Sequence, residues 1–184
     1  MIHIKNDKRV LRSANLIQEG LVKCLKYKEF NEISISDIQR ESSISRATFY
    51  RIFDNLYDVL YYQCNLLATT MEEGFSKKNA PNIENFLFYS LSFWLDNYRF
   101  LEAIFTSNRV DILQTVMQEH SEYLKKMLNL HAISKIELNY FISSSTALLS
   151  SILMTWIKNG KKENPEELYK LYVNVINLTS ELIN

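Results

Sequence analysis

The stretch ISISDIQRESSISRATFYRIFDNLYDVL, Ile33 to Leu60, has the pattern of two short helices joined by a tight turn. Ser36 or Asp37 can cap a first helix that carries Ile38, the Ser42-Ser43-Ile44 segment interrupts it, and Ser45 can cap a second helix from Arg46 to Phe53. Within that second helix the side chains divide by spacing. Phe49 and Phe53 lie four apart on one apolar face, whereas Arg46, Ala47, Tyr50 and Arg51 point elsewhere. A short helix with a cationic, small and aromatic outer face suits the floor of a DNA major groove, where a recognition helix presents its first residues to base edges.

These residues resemble the DNA-binding domain of the tetracycline-repressor (TetR) family of transcriptional regulators, whose pattern runs T-V-x-D-I-A-x-x-A-G-V-S-x-G-T-L-Y-x-Y-F. Counting like-for-like exchanges, Ser34, Ile35, Asp37, Ile38, Ile44, Ser45, Ala47, Thr48, Phe49, Tyr50 and Phe53 match without a gap. Ser43 stands in place of the turn glycine, Ile52 where a His or Tyr usually meets phosphate, and Leu56 where a Lys usually does. The resemblance implies an all-α fold: a three-helix helix-turn-helix domain over residues 1–53 and a larger helical domain for ligand sensing and dimerisation over 54–184. It further implies a regulator, most often a repressor, that binds a palindromic double-stranded operator as a homodimer and answers to a small-molecule effector. Arg46, Ala47 and Tyr50 would then face the groove, with Ser34, Ser36, Ser45, Thr48 and Arg51 near phosphates.

Composition agrees with this reading. Three Gly and two Pro among 184 residues argue against a turn-rich β protein. The mean hydropathy of −0.16 is ordinary for a chain in water. No apolar run is expected to reach the eighteen or so residues of a membrane span, and the polar start from Met1 to Arg12 lacks a signal-peptide core, so a cytoplasmic protein without a membrane partner is expected. Net charge is zero, but residues 1–53 carry +4 and residues 54–184 carry −4, which gathers basic charge where phosphate binding requires it. Lys5, Lys8, Arg9 and Arg12 suit either a phosphate-touching arm or a solvated basic end. Cys24 and Cys64 suit half-buried thiols in helices rather than a disulfide framework or a metal site.

A first helix is expected from about Lys8 to Tyr27, with Val10, Leu11, Ala14, Ile17, Leu21 and Leu25 as its buried stripe. Phe30 follows as a core plug. Asn55 or Asp54 can cap a long linking helix, Leu56 to Phe75. After a polar break at 76–82 containing Pro81, helices are expected near Ile83–Tyr98, Phe100–Ser107, Asp111–Leu130, Ile133–Asn159 and Pro165–Ile183, with Gly160 ending one and Asn164-Pro165 starting the next. Residues 140–168 are similar to a C-terminal domain of some TetR-type regulators, including a subgroup resembling the activator of dihydroxyacetone kinase operons. Phe141, Trp156, Gly160, Pro165, Glu166, Glu167 and Leu168 carry that likeness.

The last two helices suit self-association: small side chains around Ser144 and Ser151 permit close approach, and Trp156, Leu168, Tyr172 and Val175 supply apolar area. The other reading is that these helices close the monomer core. Tyr61, Tyr62, Phe86, Tyr89, Phe93, Phe105, Met117 and Met127, with Phe88, Trp94, Tyr98, Phe100 and Tyr123 in the same stretch, suit the wall of an effector pocket or, equally, plain core packing. Catalysis is not expected: His3, His120 and His131 are scattered, no phosphate loop or nucleophile elbow occurs, and no metal or cofactor is implied. A constitutive DNA binder without a ligand, or a helical protein–protein adaptor, is the alternative.

Overall fold

The structure, a computed structural model, describes residues 3, 7–77, 82–127, 129 and 133–181. Lys5, Pro81, Leu130, His131 and Ile183, on which expectations above touched, lie outside these. The described residues form ten α-helices and a single 3₁₀ turn, with no strand among them.

Helix α1 (Lys8–Cys24) starts where Asp7 Oδ1 accepts the Arg9 N–H at 2.8 Å, and it buries Ala14, Ile17, Leu21 and Cys24 completely. It stops short of Tyr27 because its last bonds tighten to i→i+3 type, Lys26 N–H to Lys23 and Tyr27 N–H to Cys24. The 3₁₀ turn Phe30–Glu32 then drops Phe30 into the core. Helix α2 (Ile35–Ser42) crosses α1 at Gly20, where an added Cβ would sit 3.1 Å from Ser42 Cβ and 3.2 Å from the Ile38 carbonyl. A glycine makes this close approach of the two backbones easy, since any side chain here would be tightly packed against its neighbours.

Helix α3 (Arg46–Ile52) leads into α4 (Leu56–Ser76), which Asn55 caps by accepting the Tyr57 and Asp58 N–H groups. The buried side of α4 runs through Val59, Leu60, Cys64, Leu67, Met71 and Phe75. It packs on both α1 and α7 (Val110–Glu119). One hydrophobic core therefore extends from Ala14 in α1 to Leu168 in the last helix, crossing the 53/54 division without a break. Both cysteines are fully buried rather than half-buried, and burial pushes the Cys64 thiol up to about 12.

Helices α5 (Ile83–Asp96) and α6 (Tyr98–Thr106) precede α7; α8 (Ser121–Met127), α9 (Lys135–Lys158) and α10 (Pro165–Glu181) follow it. The single helix expected from Asp111 onward is split at His120, whose Nδ1 lies 2.7 Å from Glu72 Oε1 of α4. Nearby, Tyr123 donates to the Glu72 carbonyl, so the linking helix holds the break from two sides. Helix α9 packs against α6, α7 and α8, and α10 against α5.

The corner between α9 and α10 accounts for the second sequence pattern. Lys161 N–H bonds back to the Trp156 carbonyl and Gly160 N–H to Ile157, with Gly160 at φ 86°, a helix-ending motif that needs the left-handed conformation. Trp156 Nε1 donates to the Glu163 carbonyl at 3.0 Å. Asn164 and Glu167 exchange reciprocal bonds at 3.0 Å around Pro165 in the first turn of α10. The W-x-x-x-G-x-x-x-x-P-E-E-L pattern thus builds a turn.

By length and composition α9 is apolar enough to cross a membrane, with a mean hydropathy of 1.3 in its most apolar window, of which 22% is buried. This corrects the expectation that no such segment exists: serines interrupt its apolar run and concealed it. The core helix of a water-soluble protein can meet the same criterion.

Candidate nucleic-acid interface

Ser34, rather than Ser36 or Asp37, caps α2. Its Oγ accepts the Asp37 N–H at 3.2 Å, while the Asp37 carboxylate accepts the Ser34 N–H at 2.9 Å and the Ser34 hydroxyl at 2.7 Å. Arg40 at 2.7 Å and Lys28 at 2.9 Å add charge to the same carboxylate. The bonds from Ser34, backbone first, then Lys28 and Arg40 hold the Asp37 carboxyl well below the usual range. Ser43 then turns the chain at φ 57°, ψ 23°, the left-handed conformation that the missing glycine would take freely. Ser42 braces this turn by donating to the Ile38 carbonyl at 2.6 Å and accepting the Ile44 N–H. Ser45 Oγ accepts the Thr48 N–H at 3.2 Å and starts α3.

The inner face of α3 is Phe49 and Ile52, both fully buried; Phe53 is also fully buried but extended, one residue beyond the helix that was expected to include it. The outer face is Arg46, Ala47, Tyr50 and Arg51, all exposed, with Thr48 half-buried. Arg46 lies 5.6 Å over the Tyr50 ring and donates to its Oη at 3.3 Å, so the two side chains leave the helix as one unit. Ser34, Ser36 and Ser45 are exposed at the helix starts. The Ser34 hydroxyl already donates its hydrogen bond to Asp37, which leaves Ser36 as the freer donor at the start of α2.

The two apolar departures from the family pattern have one physical reason: Ile52 is fully buried, and Leu56 is half-buried against the core. They are packing positions in this chain. A neighbour that the pattern did not reveal is His3, whose N–H donates to the Ile52 carbonyl at 2.9 Å and whose Nε2 lies 3.0 Å from Asp54 Oδ1. Lys8, Arg9 and Arg12 are exposed on α1.

The reading helices are tied to the rest of the chain at several points. Phe30 packs on Tyr57 at 5.5 Å, and the Arg109 guanidinium lies 4.8 Å over the same tyrosine while pairing with Asp111 at 2.8 Å. Asn31 donates to the Thr106 carbonyl at the end of α6, and Tyr62 donates to Asn15 at 2.7 Å. A bond also joins Gln18 to Gln63.

The expected pocket is only partly brought together. A cavity of about 80 Å³ opens between α5, α7 and α9, and of the eight candidates only Phe86 and Met117 line it, beside Met71, Ser90, Trp94, Leu101, Leu113, Leu153 and Tyr172. The other six pack elsewhere. Tyr61 donates to Glu119; the Tyr62 ring packs on Phe53; Tyr89 lies against Phe75; Phe93 meets the edge of Trp94. Phe105 packs on the main core, and Met127 on the small cluster of Leu124, Leu138 and Ile142. Ser90 was missed, and the only available signal was a serine inside an apolar run.

The candidate interface residues also divide. Trp156, Leu168 and Tyr172 turn inward and close the core of this chain, whereas Ser144, Ser151 and Val175 are exposed. Exposed with Val175 on α10 are Leu171 and Leu178, an i, i+4, i+7 stripe, and on α9 the exposed Ser144, Ala147, Ser151 and Thr155 make a face of small side chains.

A buried inner face, a capped turn and an exposed cationic-aromatic face define a helix-turn-helix reader. Residues 81–178 match the family TetR_C_8, described as a transcriptional regulator C-terminal region. The chain belongs to this family of TetR-type transcriptional regulators. It is similar to the uncharacterized HTH-type transcriptional regulator YxbF of Bacillus subtilis (strain 168), with 27% identity over 94% of this chain and 46% of that protein. The chain thus spans about half the length of that curated relative. Among solved structures, Lin0861 from Listeria innocua shares the fold with a TM-score of 0.74 and 20% identity, covering 98% of this chain and 96% of its own. The transcriptional regulator FadR from Bacillus subtilis, in complex with stearoyl-CoA, has a TM-score of 0.60 at 15% identity, over 89% and 96% of the two chains.

Proposed function

We propose that the chain reads a palindromic operator as a homodimer, acting as a cytoplasmic repressor whose DNA affinity is set by a small-molecule effector. The observation that carries the DNA reading is the division of α3 into a buried Phe49–Ile52 face and an exposed Arg46–Ala47–Tyr50–Arg51 face. Arg46, Ala47 and Tyr50 meet base edges; Ser36, Ser45, Thr48 and Arg51 meet phosphates, with Ser34 fixing the helix start. Residues 1–53 serve as the reader and 54–184 as the sensing and dimerising part, coupled through α4 and the Arg109–Tyr57 contact.

A second copy of the chain suits the outer surface of α9 and α10. Leu171, at 48% exposure, and Leu178, at 59%, form an apolar stripe that water would otherwise cover, and the small α9 side chains beside it permit close approach. In the groove between these helices Glu163 Oε2 is buried without a hydrogen-bond partner among the described residues. Two chains would also supply two reading helices to two half-sites.

FadR was solved with stearoyl-CoA; the cavity here, of about 80 Å³ and mainly apolar, suits a smaller effector. The finer likeness to the dihydroxyacetone kinase operon subgroup rests on residues that build the α9–α10 corner, and it supports membership of a structural subgroup rather than a particular effector. The small cavity also favours a second reading, a constitutive DNA binder with no ligand. Gel-shift titration of the DNA flanking the coding region, with sedimentation of the free protein, tests the proposal. A specific shift by a dimer is expected; no DNA affinity at low salt would leave a helical adaptor.

A further inference from the structure

Ser90 sits in the middle of α5 with 4% of its surface exposed, and its Oγ has no hydrogen-bond partner among the described residues. A helical serine can ordinarily satisfy its hydroxyl on the carbonyl four residues back, as Ser92 in the same helix does on Phe88 at 2.9 Å. Ser90 does not, and it lines the cavity between α5, α7 and α9. A buried hydroxyl left unpaired costs stability, and one bordering a void is explained if a visiting group, met by rotation of the serine side chain, completes it.

The cavity wall specifies the visitor. Met71, Trp94, Leu101, Leu113, Met117 and Leu153 make it mainly apolar. The α9 side adds only neutral hydroxyls, from Ser145, Thr146 and Ser150, and among the described lining residues none is Asp, Glu, Lys, Arg or His. An ion there would be desolvated without a countercharge. The volume of about 80 Å³ corresponds to roughly five to eight water-sized spheres at about 10–15 Å³ each, the size of a molecule with about seven non-hydrogen atoms. Ile83 and Phe141 belong to the same wall but are exposed, which marks the way in.

We infer that this cavity takes a small, uncharged, mainly apolar molecule bearing one hydroxyl or carbonyl group, which hydrogen-bonds Ser90 Oγ. The inference rests on the reading of residues 54–184 as a sensor and names the class of effector. Calorimetric titration of the full chain with 1-hexanol, and with hexanoate as its charged counterpart, tests it. Saturable binding of one 1-hexanol per chain is expected, with hexanoate at least tenfold weaker. Ser90→Ala should weaken 1-hexanol about tenfold through the lost bond, and Ser145→Phe should abolish binding by filling the space, with helicity unchanged in both. No saturable binding to folded wild type, hexanoate binding as tightly as the alcohol, or undiminished affinity in Ser90→Ala would each overturn the inference. The gel shift without ligand is a separate readout. A chain that shifts DNA but takes no 1-hexanol refutes the effector class alone, whereas one that binds 1-hexanol and never shifts DNA refutes the regulator reading and leaves the cavity assigned.

Discussion

Replacing Ile52 with His would restore a residue that the TetR pattern uses to meet phosphate, and the structure gives that change an unfavourable sign. Ile52 is fully buried in the same core as Phe49 and Phe53. Removing a buried isoleucine side chain forfeits about 2–3 kcal/mol of apolar burial, and an imidazole left there without partners adds about 1–3 kcal/mol, so Ile52→His should cost roughly 3–6 kcal/mol. Against a typical total of about 5–15 kcal/mol this is a large loss. It should also depend on pH. Burial lowers the folded pKa of such a histidine below the unfolded value of about 6.5, so the deficit grows as pH falls below that value and the unfolded imidazole binds a proton. Urea unfolding followed by circular dichroism at two pH values measures both effects, with Ile52→Val, expected to cost about 0.5–1.5 kcal/mol, as the control for packing alone. An Ile52→His variant with an unchanged urea midpoint and tighter, more salt-dependent DNA binding would refute the reasoning, because the side chain would then face the duplex.

Arg46→Ala should cost about 1–3 kcal/mol of specific DNA binding if the guanidinium reads a base, and full affinity at physiological salt would remove it from the reading face. Arg51→Ala should instead weaken all sequences alike and reduce the slope of log affinity against log salt by about 1, measured by gel shift across a salt series. Ser151→Arg or Val175→Arg should turn the dimer into a folded monomer on sedimentation, since both residues are exposed in the single chain and an unpaired charge in the interface costs several kcal/mol; a wild-type monomer would sink the assembly. Because Asp37 is held low by Ser34, Lys28 and Arg40, its contribution to stability is present above about pH 3.9 and is lost as pH falls through its lower folded value; Asp37→Asn should flatten the acid limb of a stability–pH profile.

The reading helices were legible in the chain because their determinants are local. A capping serine, a turn and an apolar pair at helical spacing act within one or two turns of backbone, and so do Gly160 and Asn164-Pro165 at the far corner. Even there, the choice of Ser34 over Ser36 as the cap depended on Asp37 reaching back between Lys28 and Arg40, and Lys28 comes from outside the helix-turn-helix stretch. The sensor half was legible only as helices. Tyr61, Tyr89 and Phe93 carry the same aromatic signal as Phe86 and Trp94, yet only the latter two face the cavity, because apolar character reports burial and not which neighbour is absent. Likewise Leu168 and Tyr172 turn inward while Leu171, Val175 and Leu178 on the same helix remain outside. Local spacing along the chain determined that α9 and α10 would form and where they would turn. Only the packing of α5, α6 and α7 against them decided which face was covered, which was left for a partner, and where Ser90 would lie without one.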